Sequence, residues 1–395
     1  MKPSPHPQPR DPEAPVATPR RGRWAAVLAV SAVLALAAAL IVVALRARDA
    51  SPVDVAAVLA ELRARDAALV DSARRGEPDP DGRAALLADL RDLARLAPED
   101  AEVAALRDAV QLRDLRYRFH DALESGSDAA LLLSESDGLL ERTPESVEAW
   151  VLNGQMRLTR GDREGARASF TQATSIRADD PALFDLIGAL WMQAGHPDEA
   201  AQAYTSAIAL SDGRLDRWLA LGLARAGEGR LDDAVQAYAR GAEVDATEPR
   251  LLSAWAEAES RLGRHGRAAE LWSAAVRWGE ARGIEPESVW SYRLAQARGA
   301  LRRGDPASAW SLVESLPDEA RALPASCDIV EQTAQDLGEP GRASRFYMDL
   351  AVRLPADAGL LERAEAHARA SGDDVAAERY AEMRRRIVGG AAAPP

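Results

Sequence analysis

Residues 147–180 read VEAWVLNGQMRLTRGDREGARASFTQATSIRADD, and residues 181–214 read PALFDLIGALWMQAGHPDEAAQAYTSAIALSDGR. Two further windows of the same length open at Leu215 and Pro249. Laid under one another, the four windows agree at six positions. The fourth holds Trp150, Phe184, Trp218 and Leu252. The eighth holds Gly154, Gly188, Gly222 and Ala256, and the fifteenth Gly161, Gly195, Gly229 and Gly263. Alanine stands at the twentieth: Ala166, Ala200, Ala234 and Ala268. An aromatic stands at the twenty-fourth: Phe170, Tyr204, Tyr238 and Trp272. A small residue closes the pattern at the twenty-seventh: Ala173, Ala207, Gly241 and Ala275.

The spacing predicts two helices per window. Small residues at the eighth, twentieth and twenty-seventh positions let backbones approach, and the aromatic knobs fill the space beside them. The fifteenth-position glycine ends the first helix. One such unit cannot bury its own apolar face, so the units must stack.

This set of positions resembles the tetratricopeptide repeat (TPR). The resemblance implies an all-α, helix-turn-helix solenoid wound into a right-handed superhelix, with a concave face that binds a peptide or a partner helix. Beyond Arg282 the pattern resumes at Gly304 and Ala309, then at Gly338, Ala343, Tyr347 and Pro355, and lastly at Gly372, Ala376 and Tyr380. Leu115 to Pro144 reads as a degenerate unit upstream. Seven or eight units are expected over residues 113–390, clearest over 147–282, with residues 391–395 a disordered tail.

Outside the repeats the chain changes character. Residues 1–23 hold seven of the 23 prolines and are basic, with Lys2, Arg10, Arg20, Arg21 and Arg23 against Asp11 and Glu13. They read as a disordered tail. Residues 24–45, WAAVLAVSAVLALAAALIVVAL, carry no charge and include eleven Val, Leu or Ile. As a helix they would span a bilayer core, and their apolar side chains favour insertion by roughly 3–7 kcal/mol. A cleaved signal peptide has a shorter apolar run and a small-x-small site, which Arg48 spoils here. The Arg20-Arg21 pair is not followed by the apolar pair of a twin-arginine signal. Residues 24–45 are therefore expected to be a retained transmembrane helix. The arginine balance favours the tail inside and the large domain outside, across a bacterial inner membrane. A secreted soluble form would instead begin near Ala50.

Residues 51–112 form a helical membrane-proximal segment, with Ser51-Pro52 as its helix start. Val55, Val58, Leu59 and Leu62 mark a first helix and Leu86, Leu87, Leu90 and Leu93 a second. A dimerising coiled coil is disfavoured by Asp66 at a seam position; an antiparallel hairpin is expected.

The resemblance places a partner-binding groove at the second, fifth, ninth and twelfth positions. There Val151, Gln155, Leu158, Asp185, Ala189, Met192, Leu219, Leu223 and Ala226 form a largely apolar strip. The class of TPR that grips a C-terminal carboxylate with Lys, Arg and Asn is not matched, since the chain has one asparagine, Asn153. The strip suits an amphipathic helix or extended peptide, unless the chain's own helices cover it.

Little else carries chemistry. Net charge is -13, which argues against a nucleic-acid partner. The only lysine is Lys2, and the only cysteine, Cys327, falls at a core-facing position. His6, His120, His196, His265 and His367 show no metal-ligand spacing, and His196 and His265 are expected in solvated turns. Carboxylates read as solvated i,i+4 partners of arginine. Eight of the nine tryptophans lie between Trp150 and Trp310, where core packing is favoured over a ligand cage. No enzyme motif, cofactor site or metal site is indicated. The function expected is a membrane-anchored scaffold or adaptor for protein partners. The alternative is an envelope biogenesis factor or chaperone for secreted or cytochrome polypeptides.

Overall fold

The computed structural model describes residues 54–126, 130–354 and 357–390. The expected tails, residues 1–23 and 391–395, and the apolar stretch 24–45 lie outside them. Among the described residues there is no strand, and no helix is long and apolar enough to cross a membrane. The chain divides into two compact units, up to Tyr117 and from Arg118.

The first unit comprises α1 (Val55–Arg74), α2 (Pro80–Leu96) and the leading part of α3 (Ala101–Ser125). Asp54 caps α1 by accepting from the Ala57 N–H at 3.1 Å. The cap is thus Asp54, and Ser51-Pro52 lies outside the described residues. Leu59, Leu62, Leu86, Leu87, Leu90, Leu93, Val103 and Val110 form one apolar core. Asp66 is not a free charge on a seam: it pairs with Arg113 on α3. Arg83 is 8 % exposed, with its guanidinium over the Tyr117 ring at 4.2 Å and 3.7 Å from Asp114.

In the second unit, α4 (Ala130–Arg142) leads into the repeats, and Arg118 on α3 donates to both Glu135 oxygens on it at 2.8 and 2.9 Å. Then come α5 (Val147–Thr159) with α6 (Arg163–Ile176) and α7 (Pro181–Gln193) with α8 (Pro197–Leu210). The next hairpins are α9 (Leu215–Gly227) with α10 (Leu231–Val244) and α11 (Pro249–Arg261) with α12 (His265–Arg282). Every window opens on the first residue of a helix, and every second helix opens on the seventeenth position. Between them the fifteenth-position glycine takes φ of +76° to +80°, a left-handed conformation that a Cβ disfavours.

The eighth-position glycines have a different task. A Cβ on Gly154 would lie 2.5 Å from the Phe170 ring, and one on Gly188 would lie 2.8 Å from Tyr204. Gly222 is pressed in the same way by Tyr238. These three hairpins close by setting the aromatic ring against the bare backbone of their own first helix.

Polar groups key the entry to the array. Asn153 is wholly buried, and its Nδ2 donates to Ser136 Oγ at 3.2 Å and Asp137 Oδ1 at 2.8 Å. Its Oδ1 accepts from Arg157 Nε and Ser169 Oγ, both at 2.8 Å. The chain's one asparagine therefore ties α4, α5 and α6 together with its amide satisfied on both sides.

Three hairpins follow: α13 (Pro286–Arg302) with α14 (Pro306–Glu314), α16 (Pro324–Leu337) with α17 (Pro340–Arg353), and α18 (Ala358–Ala370) with α19 (Asp374–Gly390). The first of these is irregular. It opens at Pro286, three residues ahead of the Val289 that the pattern suggests. Its second helix is cut to nine residues, and a short α15 (Asp318–Arg321) is inserted after it. Pro317 explains the cut, because its ring disfavours helix at the residue before it.

The carboxylates depart from expectation. Glu199, Glu259 and Glu365 are each 5 % exposed, not solvated. Glu199 on α8 receives Arg163 and Arg167 from α6, the latter at 2.7 Å. Asp232 on α10 pairs with Arg264, which opens the way into α12, at 2.7 Å, and Arg264 also reaches Glu259 at 3.3 Å. The Glu199 and Asp232 pairs join one hairpin to the next, while Glu259 and Arg264 pair within one hairpin.

Three substitutions test this packing. Gly188→Ala should destabilise the array by about 1–3 kcal/mol through overpacking against Tyr204. Gly138→Ala, in the α4 interior with open space around its Cβ position, should stabilise by about 0.5–1 kcal/mol. Urea unfolding of the two variants beside the parent reads both signs. Burial pushes the Glu199 carboxyl up, but the bonds from Arg163 and Arg167 outweigh it and lower the group from 4.5 to about 2. A lowered folded value means the contribution is complete above pH 4.5 and is lost as pH falls through about 2. Glu199→Gln should therefore melt below the parent at neutral pH, with the gap closing across that window.

Candidate functional site

The nine groove positions fall on α5, α7 and α9, the first helices of three consecutive hairpins. Ala189 is exposed and Leu223 is 42 % exposed. Val151, Gln155, Leu158, Asp185, Met192 and Ala226 are half-buried. Val151, Leu158 and Met192 rest against the core built around Phe170, Ile187, Trp191 and Tyr204. Ala226 rests against the core around Tyr238 and Leu251.

One position requires correction, and a second is already engaged. Leu219 is 5 % exposed and belongs to the core with Ala234, Tyr238 and Leu251, so it offers nothing to a partner. Its window brings leucine to the fifth position where the neighbouring hairpins place Val151 and Asp185, and it packs inward. Asp185 is not a free polar contact either. Both its oxygens accept from Arg217 Nε, at 3.0 and 2.9 Å. Arg217, 4 % exposed, also donates to the Ser211 carbonyl at 2.6 Å. Asp185 thus clamps α7 to the start of α9.

One residue was missed. Leu186, at the sixth position, is 48 % exposed and stands three residues from Ala189 on the same helical face. Its signal was present in the sequence, a leucine beside an inward-facing Ile187, but the inherited position scheme passed over it. The apolar surface is therefore exposed Leu186, Ala189 and Leu223, flanked by half-buried Val151, Leu158, Met192 and Ala226.

The aromatics act as packing elements. Trp191, Trp272 and Trp310 are at most 3 % exposed. Trp150 and Trp218, both at the fourth position, donate their indole N–H to Pro144 O at 2.8 Å and Asp212 O at 2.9 Å, each six residues upstream. His196 is not a solvated turn residue: it is half-buried and meets the Trp191 ring edge-on at 5.5 Å. His265 is half-buried as well. Cys327 is 2 % exposed, and burial pushes its thiol up. It shares its surroundings with Tyr347, whose hydroxyl donates to the Cys327 carbonyl at 3.1 Å. His367 stacks on Tyr347 at 5.6 Å, and burial lowers its pKa. Among the described residues no group of His, Cys, Asp or Glu is placed to hold a metal ion.

Stacked two-helix units with this glycine–aromatic closure define a helical-hairpin repeat protein. The 34-residue period, helix lengths and turn glycines give the chain a TPR-type hairpin fold. No family model matches it, and no curated protein matches it. Several solved structures are similar. PilW, described as a widely conserved type IV pilus biogenesis factor, is 16 % identical over 56 % of this chain and 98 % of its own, with a TM-score of 0.40. YrrB, described as a TPR protein with an unusual peptide-binding site, is 18 % identical over 48 % and 91 %, with a TM-score of 0.34. The C-terminal part of a TPR repeat-containing protein from Cytophaga hutchinsonii is 14 % identical over 70 % and 95 %, with a TM-score of 0.40. The assignment to the class rests on the hairpin geometry of the chain itself.

The corrected surface predicts a split between two neighbouring leucines. Leu219→Asp should cost about 3 kcal/mol or more by placing a carboxylate in the core. Leu223→Asp should change stability by less than about 0.5 kcal/mol. Hydrogen exchange across α9 and α10 separates them: protection is lost in the first variant and kept in the second.

Proposed function

We propose that the chain is a membrane-anchored scaffold that binds an amphipathic helix or extended peptide of a partner protein. The observation that carries this reading is the exposure of Leu186, Ala189 and Leu223 on the first helices of consecutive hairpins. An apolar strip at helical spacing, rimmed by half-buried side chains, suits the apolar face of a partner segment. Its recognition is apolar, because Asp185 is engaged by Arg217 and brings no free charge. Residues 24–45 supply the anchor, holding the solenoid at a bacterial inner membrane with the C-terminal domain on the outer side. Confinement to that surface raises the effective concentration of scaffold and partner.

Site-specific photo-crosslinking in native membranes tests the reading. A crosslinker at position 223 should trap a discrete, stoichiometric protein, and Leu186→Asp in the same chain should abolish the adduct. Protease added to cells stripped of their outer envelope should digest the solenoid. Trapping of many substoichiometric unfolded polypeptides would replace the scaffold by a chaperone. Absence of any adduct would remove the groove, and a protected solenoid would reverse the orientation.

A further inference from the structure

Among the described residues of this acidic chain, a cleft is lined by four arginines (Arg321, Arg342, Arg345 and Arg353) against three carboxylates (Glu314, Glu339 and Asp349). It has a volume of about 720 Å³, within the range of ligand sites, and lies between α14, α15 and α17 in the irregular part of the array. It uses second helices and the inserted α15, whereas the apolar strip described above uses first helices. Its charged groups are not equally free. Arg353 pairs with Asp349 at 2.6 Å and Asp318 at 3.1 Å. Arg342 pairs with Glu339 at 3.5 Å and lies over the Trp310 ring at 4.3 Å. Trp310 is held in turn by Phe346, edge-on at 5.7 Å. The Arg342 guanidinium is thus pre-oriented by an aromatic floor, which reduces the ordering cost of using it.

What remains unpaired is mostly donor. Arg345 is exposed and has no ion-pair partner among the described residues. Arg321 Nε is buried without a hydrogen-bond partner, although its other nitrogens reach the Glu314 carbonyl and Asp318. Trp310, 2 % exposed, likewise leaves its indole Nε1 unpartnered. Among the carboxylates of the lining, Glu314 alone has no side-chain partner among the described residues. It opposes a compact dianion such as phosphate. An extended peptide meets both demands, because its carboxylates can reach Arg345 and Arg342 while a backbone N–H serves Glu314.

We propose that this cleft is a second docking site, which takes an acidic extended peptide segment of a partner. Arg345 and Arg342 supply the charge-assisted hydrogen bonds, with Arg342 held in place by the buried Trp310 ring, and half-buried Phe346 supplies apolar surface. Its partner chemistry differs from that of the apolar strip, so the array can hold two segments at once.

The test is fluorescence anisotropy of the full chain with a fluorescein-labelled peptide of alternating glutamate and alanine. Alternating glutamine and alanine is the neutral counterpart. The acidic peptide should bind saturably and the neutral one should bind at least about tenfold more weakly. Arg345→Glu, at an exposed position, should weaken the acidic peptide by about tenfold or more with an unchanged melting curve. Leu223→Asp should leave this binding in place, so failure of the apolar strip and failure of the cleft are read apart. The proposal is overturned by equal binding of the two peptides, by an unchanged affinity in Arg345→Glu, or by loss of binding in Leu223→Asp. Displacement of the peptide by stoichiometric inorganic phosphate would also overturn it, because the cleft would then be a simple anion site.

Discussion

The array depends on one contact: an aromatic ring lying on a glycine. Phe170 on Gly154, Tyr204 on Gly188 and Tyr238 on Gly222 set the distance between the two helices of their hairpins. A ring cannot be this close to a helix that carries a Cβ there, so the pair must be chosen together. Once the distance is fixed, the wholly buried alanines at positions 166, 200 and 234 fall into place beside it. The fourth hairpin tests the rule by breaking it. It has Ala256 at the eighth position, and its larger Trp272 ring meets the bare backbone of Gly299 on α13. The contact has moved from within a hairpin to the joint between two.

Apolar cores run across the joints between hairpins, and charge adds a second link there. Asp185 to Arg217, Glu199 to Arg163 and Asp232 to Arg264 all link residues 32 or 36 apart in the chain, about one repeat. Buried members such as Glu199 and Arg217 lose hydration; Arg163 and Arg167 both donate to Glu199 Oε1, while its Oε2 has no partner among the described residues, and Arg217 donates to Asp185 and the Ser211 carbonyl. Such pairs favour one stacking register over sliding, since a slip would leave a buried charge alone. Apolar side chains at the same joints would bring adhesion without that selectivity.

This division also explains what could be read from the residues. The helices, turns and hairpin cores follow from a six-position pattern, because each pattern residue is explained by neighbours a fixed number of positions away. The ion pairs are nearly invisible in the same rows. Asp66, Glu199 and Asp232 look like any surface carboxylate until Arg113, Arg163 or Arg264 is brought against them by tertiary packing. Asn153 is the same case, since its partners Ser136 and Asp137 lie in the degenerate unit that the pattern barely marks. The apolar strip was legible as a helix face, but not residue by residue. Leu219 and Leu223 stand one turn apart, and only packing decides that the first is core and the second surface.

Irregularity in a repeat array is informative because a regular array gives every hairpin the same surface. After Arg282 the period fails in linked ways. α12 runs 18 residues and ends on Gly283 at φ +62°, and α14 stops after nine residues. Val313 stands where the other hairpins have their aromatic, four residues after Ala309. With no ring there, Trp310 provides the bulk from one turn earlier in the helix. The Pro317 break and α15 then leave the space beside Trp310 open on one side. The arginines of α17 extend into that space, since Arg342, Arg345 and Arg353 lie on the helix that packs next. A cleft with unanswered donors therefore appears where the sequence gives up the glycine–aromatic closure. That is where an interaction surface can be built without weakening the hairpins on either side.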